Sequence, residues 1–126
     1  MKSCVIAIIL GPENLCLMGM RNDTGKFTFP SGHIENNETP YQGLIREVKE
    51  ETGLDIEDAK LLRSGDNGEG VTLYLYLCKA RGVVDPKNDP DEEFRSLTWE
   101  DPLDRVEDLH IPYHKNWGAQ WWAKNV

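Results

Sequence analysis

Long apolar runs are missing from this sequence. Near the N-terminus Val5–Leu10 is apolar throughout but stops at Gly11, far short of the ~20 residues that a membrane-spanning helix needs. No basic segment precedes it and no small-residue cleavage pattern follows, so no secretory signal is expected. Positive charge is scarce as well: Lys and Arg total 14 against 22 Asp and Glu, a formal net charge of −8. Sequence-independent nucleic-acid affinity comes from Lys and Arg displacing counterions, so a nucleic-acid polymer is not expected as a partner. Cysteine is sparse. Cys4, Cys16 and Cys78 are odd in number, far apart and set in apolar runs, which reads as buried free thiols in a reducing cytoplasm. Repeats, low-complexity tracts and Ser/Pro-rich linkers are absent too. What is left is one domain over residues 1–126, a length able to bury roughly two-thirds of its unfolded surface.

The pattern of that domain is mixed. Cys4–Leu10 is rich in β-branched and apolar residues, and Gly11-Pro12-Glu13-Asn14 closes it with turn chemistry. Leu15–Met20 reads as a second strand, expected to pair with the first as a hairpin. A short apolar piece, Phe27–Phe29, precedes the break Pro30-Ser31-Gly32. From Thr39 to Thr52 the period becomes helical, with Thr39 as N-cap, Pro40 in the first turn and Gly53 in the C-cap position. Tyr41, Leu44, Ile45 and Val48 form its apolar stripe. Ala59–Arg63 and Val71–Ala80 read as strands, Gly82–Glu92 as a loop and Phe94–Trp99 as a last strand. A short helix over 103–109 and a Trp-rich helix after Pro112 complete an α/β chain.

The helix 39–52 carries the chemistry. Glu47, Glu50 and Glu51 stand at i, i+3 and i+4, so three carboxylates cover an arc of about 100° beside the apolar stripe. Like charges ~6 Å apart at an effective dielectric of ~20 repel by on the order of 2–3 kcal/mol per pair. Arg46 can relieve Glu50 at i+4, but one guanidinium cannot neutralise three acids. A divalent cation can, and hard carboxylate oxygens suit Mg²⁺ or Mn²⁺. An isolated E-x-x-E-E is usually a solvated face. Here it sits inside a longer pattern, G-x5-E-x7-R-E-U-x-E-E-x-G-U with U aliphatic, matched by Gly32, Glu38, Arg46, Glu47, Val48, Glu50, Glu51, Gly53 and Leu54. From ordinary residue frequencies, a chance match is on the order of 10⁻⁸.

In every position of that signature the chain resembles the Nudix hydrolases. The resemblance implies an α/β/α sandwich around a mixed β-sheet, with a catalytic loop–helix–loop that binds Mg²⁺ or Mn²⁺. It implies hydrolysis of a diphosphate bond in a nucleoside diphosphate linked to another group. Glu50 and Glu51 are the implied metal ligands, with Glu47 a further ligand or the base that activates water. Arg46 is implied to hold a carboxylate such as Glu47 in position, Glu38 to support the loop by pairing with Arg46, and Gly32 to shape the loop and offer its carbonyl to metal. No Ser-His-Asp arrangement is apparent and no cysteine has an adjacent His, so a covalent intermediate is not required. One departure is Ser31, where many members carry a second glycine.

Outside the signature, the acidic loop Asp89–Glu93 suggests Glu93 as a further ligand or the base. His33 reads as a loop residue, with contact to phosphate as the sharper alternative, whereas His110 and His114 read as surface residues. Trp117, Trp121 and Trp122 read as packing for a C-terminal helix. Phe27, Tyr74 and Trp99 are candidate substrate contacts. Subfamily marks are missing: Glu69 stands where ADP-ribose hydrolases carry proline, and Gly70, Val71 and Thr72 where dinucleoside polyphosphate hydrolases carry tyrosine. A (deoxy)nucleoside triphosphate pyrophosphohydrolase is the leading expectation, as a monomer or homodimer. A non-hydrolytic nucleotide sensor, an ADP-ribose hydrolase or a dinucleoside polyphosphate hydrolase are the alternatives.

Overall fold

The computed structural model describes residues 2–85, 94–109 and 114–126. Strand β1 (Lys2–Ile9) lies inside a four-stranded mixed sheet, parallel to β6 (Val71–Arg81) and antiparallel to the short edge strand β4 (Ser31–His33). The other edge is β5 (Asp55–Asp66), antiparallel to β6. A second, antiparallel sheet places β2 (Cys16–Arg21) between β3 (Phe27–Thr28) and β7 (Phe94–Glu100). Among the described residues no helix is long and apolar enough to cross a membrane.

Alternation along β1 builds two cores. Val5, Ala7 and Ile9 pack with Leu17, Leu44, Val48 and Leu54 under helix α1 (Pro40–Thr52). Cys4, Ile6 and Ile8 face the opposite way, with Met18, Phe29, Leu73, Leu75, Trp117 and Trp122. Successive strand side chains point to opposite faces, so one apolar strand serves both layers. Trp117 and Trp122 belong to a π-helical turn, His114–Ala119, and helix α2 (Gln120–Asn125). They fasten the C-terminus over the second core, while Trp121 lies at its edge. All three thiols are buried and free, and burial pushes that of Cys78 up to about 12.

Helix α1 starts and stops where side chains supply the unmet backbone bonds. The Thr39 hydroxyl accepts from the Gln42 N–H, and the Gln42 side chain accepts from the Thr39 N–H. At the other end Gly53 takes φ 79°, and its N–H donates to the Lys49 carbonyl. A left-handed residue there favours glycine.

Several expectations change. Leu10 and Cys16 form only an isolated bridge, so β1 and β2 are not a continuous hairpin. Cys16–Gly19 is buried on both faces, and a central strand of a second sheet buries more apolar surface than an edge ribbon would. Tyr41 and Ile45 are 41% exposed, against 0% for Leu44 and 1% for Val48, so the buried stripe of α1 is narrower than its apolar composition. Strand β5 runs well beyond Ala59–Arg63 at both ends; as an edge strand it is mostly exposed, and its two register shifts scramble the alternation. Pro30-Ser31-Gly32 does not simply break the chain, because Ser31 and Gly32 pair with β1. Residues 102–108 form a 3₁₀ helix.

Thr39→Ala removes one half of the reciprocal cap, and urea denaturation should show a loss of about 1 kcal/mol at unchanged m-value.

Candidate active site

The site is assembled where α1 crosses the edge of the mixed sheet at β4. The bonds from Ala7 N–H to the Pro30 carbonyl and from Ile34 N–H to the Ser3 carbonyl flank the pairing of Val5 with Gly32. Bonded and non-bonded pairs alternate in an antiparallel ladder, so Val5–Gly32 is a bonded pair and Ile6–Ser31 is not. The N–H and carbonyl of Ser31 therefore point away from β1. Its N–H donates to Glu51 Oε1 at 2.9 Å, and Glu51 is only 4% exposed. A neighbouring strand would have consumed that donor. Being on the edge leaves it for a carboxylate.

Gly32 faces α1, and a Cβ there would run into the Glu47 carboxylate. The glycine thus makes room for an acid at close range to the strand. Its carbonyl, by the same register, is directed at Val5 of β1, whereas the carbonyl of Ser31 points away from β1.

Arg46 organises the acids. Its Nε donates to Glu38 Oε2 at 2.7 Å and its Nη2 to Glu38 Oε1 at 2.9 Å, a two-pronged clamp. Nη1 donates to Glu47 at 3.0 Å and to Glu50 at 3.3 Å, and Nη2 also donates to the His33 carbonyl at 2.9 Å. Planar, forked donors suit this many acceptors at once, which a lysine point charge would not. The hydrogen bonds from Arg46, aided by the Glu35 N–H, hold the Glu38 carboxyl down to about 2. The same contacts raise Arg46 above its ordinary value, so it stays charged throughout the accessible pH range.

Glu47, Glu50 and Glu51 thus share one helical turn, with Arg46 bridging Glu47 and Glu50 and the Ser31 amide meeting Glu51. They do not form a closed cage: among the described residues no three His, Cys, Asp or Glu side chains are poised together to hold a metal. Their chemistry nonetheless fits a hard divalent cation. Glu47 and Glu51 are brought against β4 from the same side, Glu50 stands a turn from Glu47 with its side chain 39% exposed, and the negative charge exceeds what Arg46 offsets.

A cleft of about 590 Å³ opens beside this assembly, lined by Lys2, Ser3, His33, Ile34, Glu38 and Tyr74 among others. Ligand pockets commonly occupy roughly 300–1,000 Å³, enough for a nucleotide. Of the three aromatic candidates, Tyr74 lines this cleft. Phe27 and Trp99 are not in that lining. Phe27 is buried in the second core with Arg105 over its ring, and Trp99 packs on the α1-side core with its ring against Gly11. His33 contacts Cys4 Sγ through Nδ1 at 3.3 Å. Glu93 and His110 lie outside the described residues.

His114 corrects the surface assignment. It is 0% exposed, and its ring reaches Thr28, Phe29 and Ser31. No spacing in the sequence marks it, because its partners are more than eighty positions away. Ser31 was legible only as a departure from glycine, and its amide contact depends on the register.

The NUDIX domain model matches residues 2–121. An 8-oxo-dGTP diphosphatase of Proteus vulgaris is 50% identical over 72 residues, covering 55% of this chain and 60% of its own. An 8-oxo-dGDP phosphatase of Mus musculus is 31% identical over 99 residues, covering 75% of this chain and 31% of its own. Among solved structures, a MutT chain from work on Aliivibrio salmonicida and Vibrio cholerae superposes with a TM-score of 0.79 at 18% identity. The match covers 99% of this chain and 98% of that one, and shows a common fold. This chain spans 20% to 31% of the length of several of the curated relatives it matches.

The clamp has a pH signature. Glu38 is held at about 2 against an ordinary 4.5, so its stabilising contribution is complete above the ordinary value and is lost as pH falls through about 2. The stability difference between wild type and Glu38→Gln, measured by thermal unfolding, should be constant from neutral pH to about 5 and shrink steadily below that.

Proposed function

This chain belongs to the NUDIX family of hydrolases, and on that premise we propose that it is a metal-dependent (deoxy)nucleoside triphosphate pyrophosphohydrolase. The observation that supports this most is the set of three carboxylates on one turn of α1, drawn against an edge strand by a single guanidinium and a backbone amide. Next to it lies a cleft of nucleotide size. Relatives named for 8-oxo-dGTP and 8-oxo-dGDP make oxidised guanine nucleotides the first substrates to test.

Members of this family generally use divalent metals. Glu50 and Glu51 would hold Mg²⁺ or Mn²⁺, with Glu47 as a further ligand or as the base. A backbone carbonyl of β4 would join them, and the register favours that of Ser31 over that of Gly32. When bound, the cation offsets the charge of the diphosphate oxygens and lowers the pKa of an attacking water. The chain's own part is positioning. Arg46 stays protonated and fixes the Glu47 carboxylate, so that Glu47 can accept a proton from the water that attacks phosphorus. Glu38 fixes Arg46 in turn. Attack breaks one phosphoanhydride P–O bond and releases a nucleoside monophosphate and pyrophosphate. Tyr74 supplies a ring in the cleft against which a base can stack. Glu93 remains the candidate for an additional ligand or alternative base.

A panel of nucleoside triphosphates, including 8-oxo-dGTP, should release pyrophosphate with Mg²⁺ or Mn²⁺ and none with chelator. Turnover in metal-free buffer would refute the mechanism, and nucleotide binding without any turnover would indicate a sensor.

Glu51→Gln keeps an acceptor for the Ser31 N–H while removing one charge. It should remain folded by circular dichroism and lose on the order of 10²–10⁴-fold in kcat. Unfolding of this variant would make Glu51 a structural group.

A further inference from the structure

The C-terminal segment enters the site through one buried ring. We propose that His114 is a positioning residue for Glu51, acting through Ser31; this deepens the hydrolytic reading above and rests on it.

Burying an imidazole costs free energy unless its nitrogens find partners, and a phenylalanine would fill the volume without that cost. Both nitrogens of His114 do find partners. The Phe29 N–H donates to Nδ1 at 3.1 Å, which makes Nδ1 an acceptor. A neutral ring with Nδ1 accepting carries its proton on Nε2. Nε2 lies 3.3 Å from Ser31 Oγ, and its proton can be donated there. Thr28 Oγ1 is 3.1 Å from Nδ1 and donates its own proton to the Phe29 carbonyl at 2.8 Å. The Phe29 and His114 ring centroids are 5.7 Å apart.

These contacts hold one stretch at both of its ends. Thr28 ends β3 in the antiparallel sheet and Ser31 begins β4 in the mixed sheet. Between them the chain crosses from one sheet to the other, with only Phe29 and Pro30 to span the step. Pro30 has no N–H to anchor it, and its carbonyl is taken by Ala7. The imidazole therefore sets how the crossing is held at Phe29 and Ser31. Ser31 is also the residue whose amide binds Glu51 Oε1. A second feature points the same way. Gly118, one helical turn after His114, lies so close to the Phe29 ring that a Cβ would collide with it. The helical segment is thus docked directly on the crossing that His114 binds.

Misplacing a reacting group by about 1 Å can cost on the order of 10²-fold in rate. Loosening Ser31 should accordingly act on kcat, since Glu51 belongs to the reaction centre, while KM reflects the cleft around Tyr74. Three variants separate the contributions. His114→Phe keeps the ring and removes both nitrogens. His114→Gln restores a side-chain amide able to donate toward Ser31. Ser31→Ala deletes the hydroxyl that Nε2 addresses and keeps the backbone N–H.

The first readout is the residue-31 amide in ¹H–¹⁵N spectra and hydrogen exchange, taken without metal or substrate. Wild type should show a protected amide bonded to a carboxylate. In His114→Phe and in Ser31→Ala this amide should shift upfield and exchange about 10-fold faster or more, as a weakened bond requires. The second readout is kinetic: kcat should fall about 10-fold or more with KM unchanged in both variants, and His114→Gln should recover part of the loss. A folded His114→Phe with the wild-type amide and the wild-type kcat overturns the proposal. If His114→Phe does not fold, Ser31→Ala decides alone, and an unchanged amide and kcat there overturn it equally. Should the wild-type protein hydrolyse no nucleotide, the hydrolytic reading fails, and the amide measurement still decides whether His114 positions Glu51 through Ser31.

Discussion

Everything at this site depends on keeping several carboxylates close together without letting them repel one another apart. Arg46 solves most of that problem. One guanidinium meets Glu38 in a two-pronged clamp, reaches Glu47 and Glu50 from a third nitrogen, and touches the His33 carbonyl of β4. It ties the loop before α1, the acidic turn of α1 and the edge strand into one unit. Arg46 brings one positive charge to the three carboxylates it bonds, so by itself it does not neutralise them. An excess of hard oxygen donors is what a divalent cation would satisfy.

The edge strand is the second constraint. β4 is only three residues long, yet its alternation distributes the work between the two faces of the sheet. Gly32 faces α1 and admits Glu47. Ser31 and His33 face the other way, toward His114 and Cys4. Meanwhile the unpaired side of the Ser31 backbone meets Glu51. An exposed sheet edge ordinarily invites association with another strand. Here a helix covers it, and the spare amide becomes part of the acidic site. The two cores are coupled at this point, since the C-terminal helical segment holds the same stretch of chain from the opposite layer.

Much of this was legible in the sequence, and for a local reason. The cap residues Thr39 and Gly53, the acidic turn and the pairing of Arg46 with Glu50 are relations within four positions on one helix, and helical geometry turns spacing into proximity. The longer pattern from Gly32 to Leu54 extends that reach across the loop, and with it came the family and the α/β fold. Burial of the cysteines followed from their apolar surroundings.

Contacts between segments far apart in the chain were decided only by tertiary structure. Whether Leu15–Met20 completes a hairpin or joins a second sheet depends on what else can cover it, and β7 covers it from some eighty residues away. Tyr41 and Ile45 have the composition of a buried stripe, but only Leu44 and Val48 of that stripe are sealed against β1. His114 carries no mark at all in its own neighbourhood; its burial is created by Thr28, Phe29 and Ser31. The chain determined by itself which chemical groups stand on one turn of one helix, because adjacency in an α-helix follows from the backbone alone. Which amide, glycine and imidazole meet those groups was decided by strand register and layer packing, which depend on the whole chain at once.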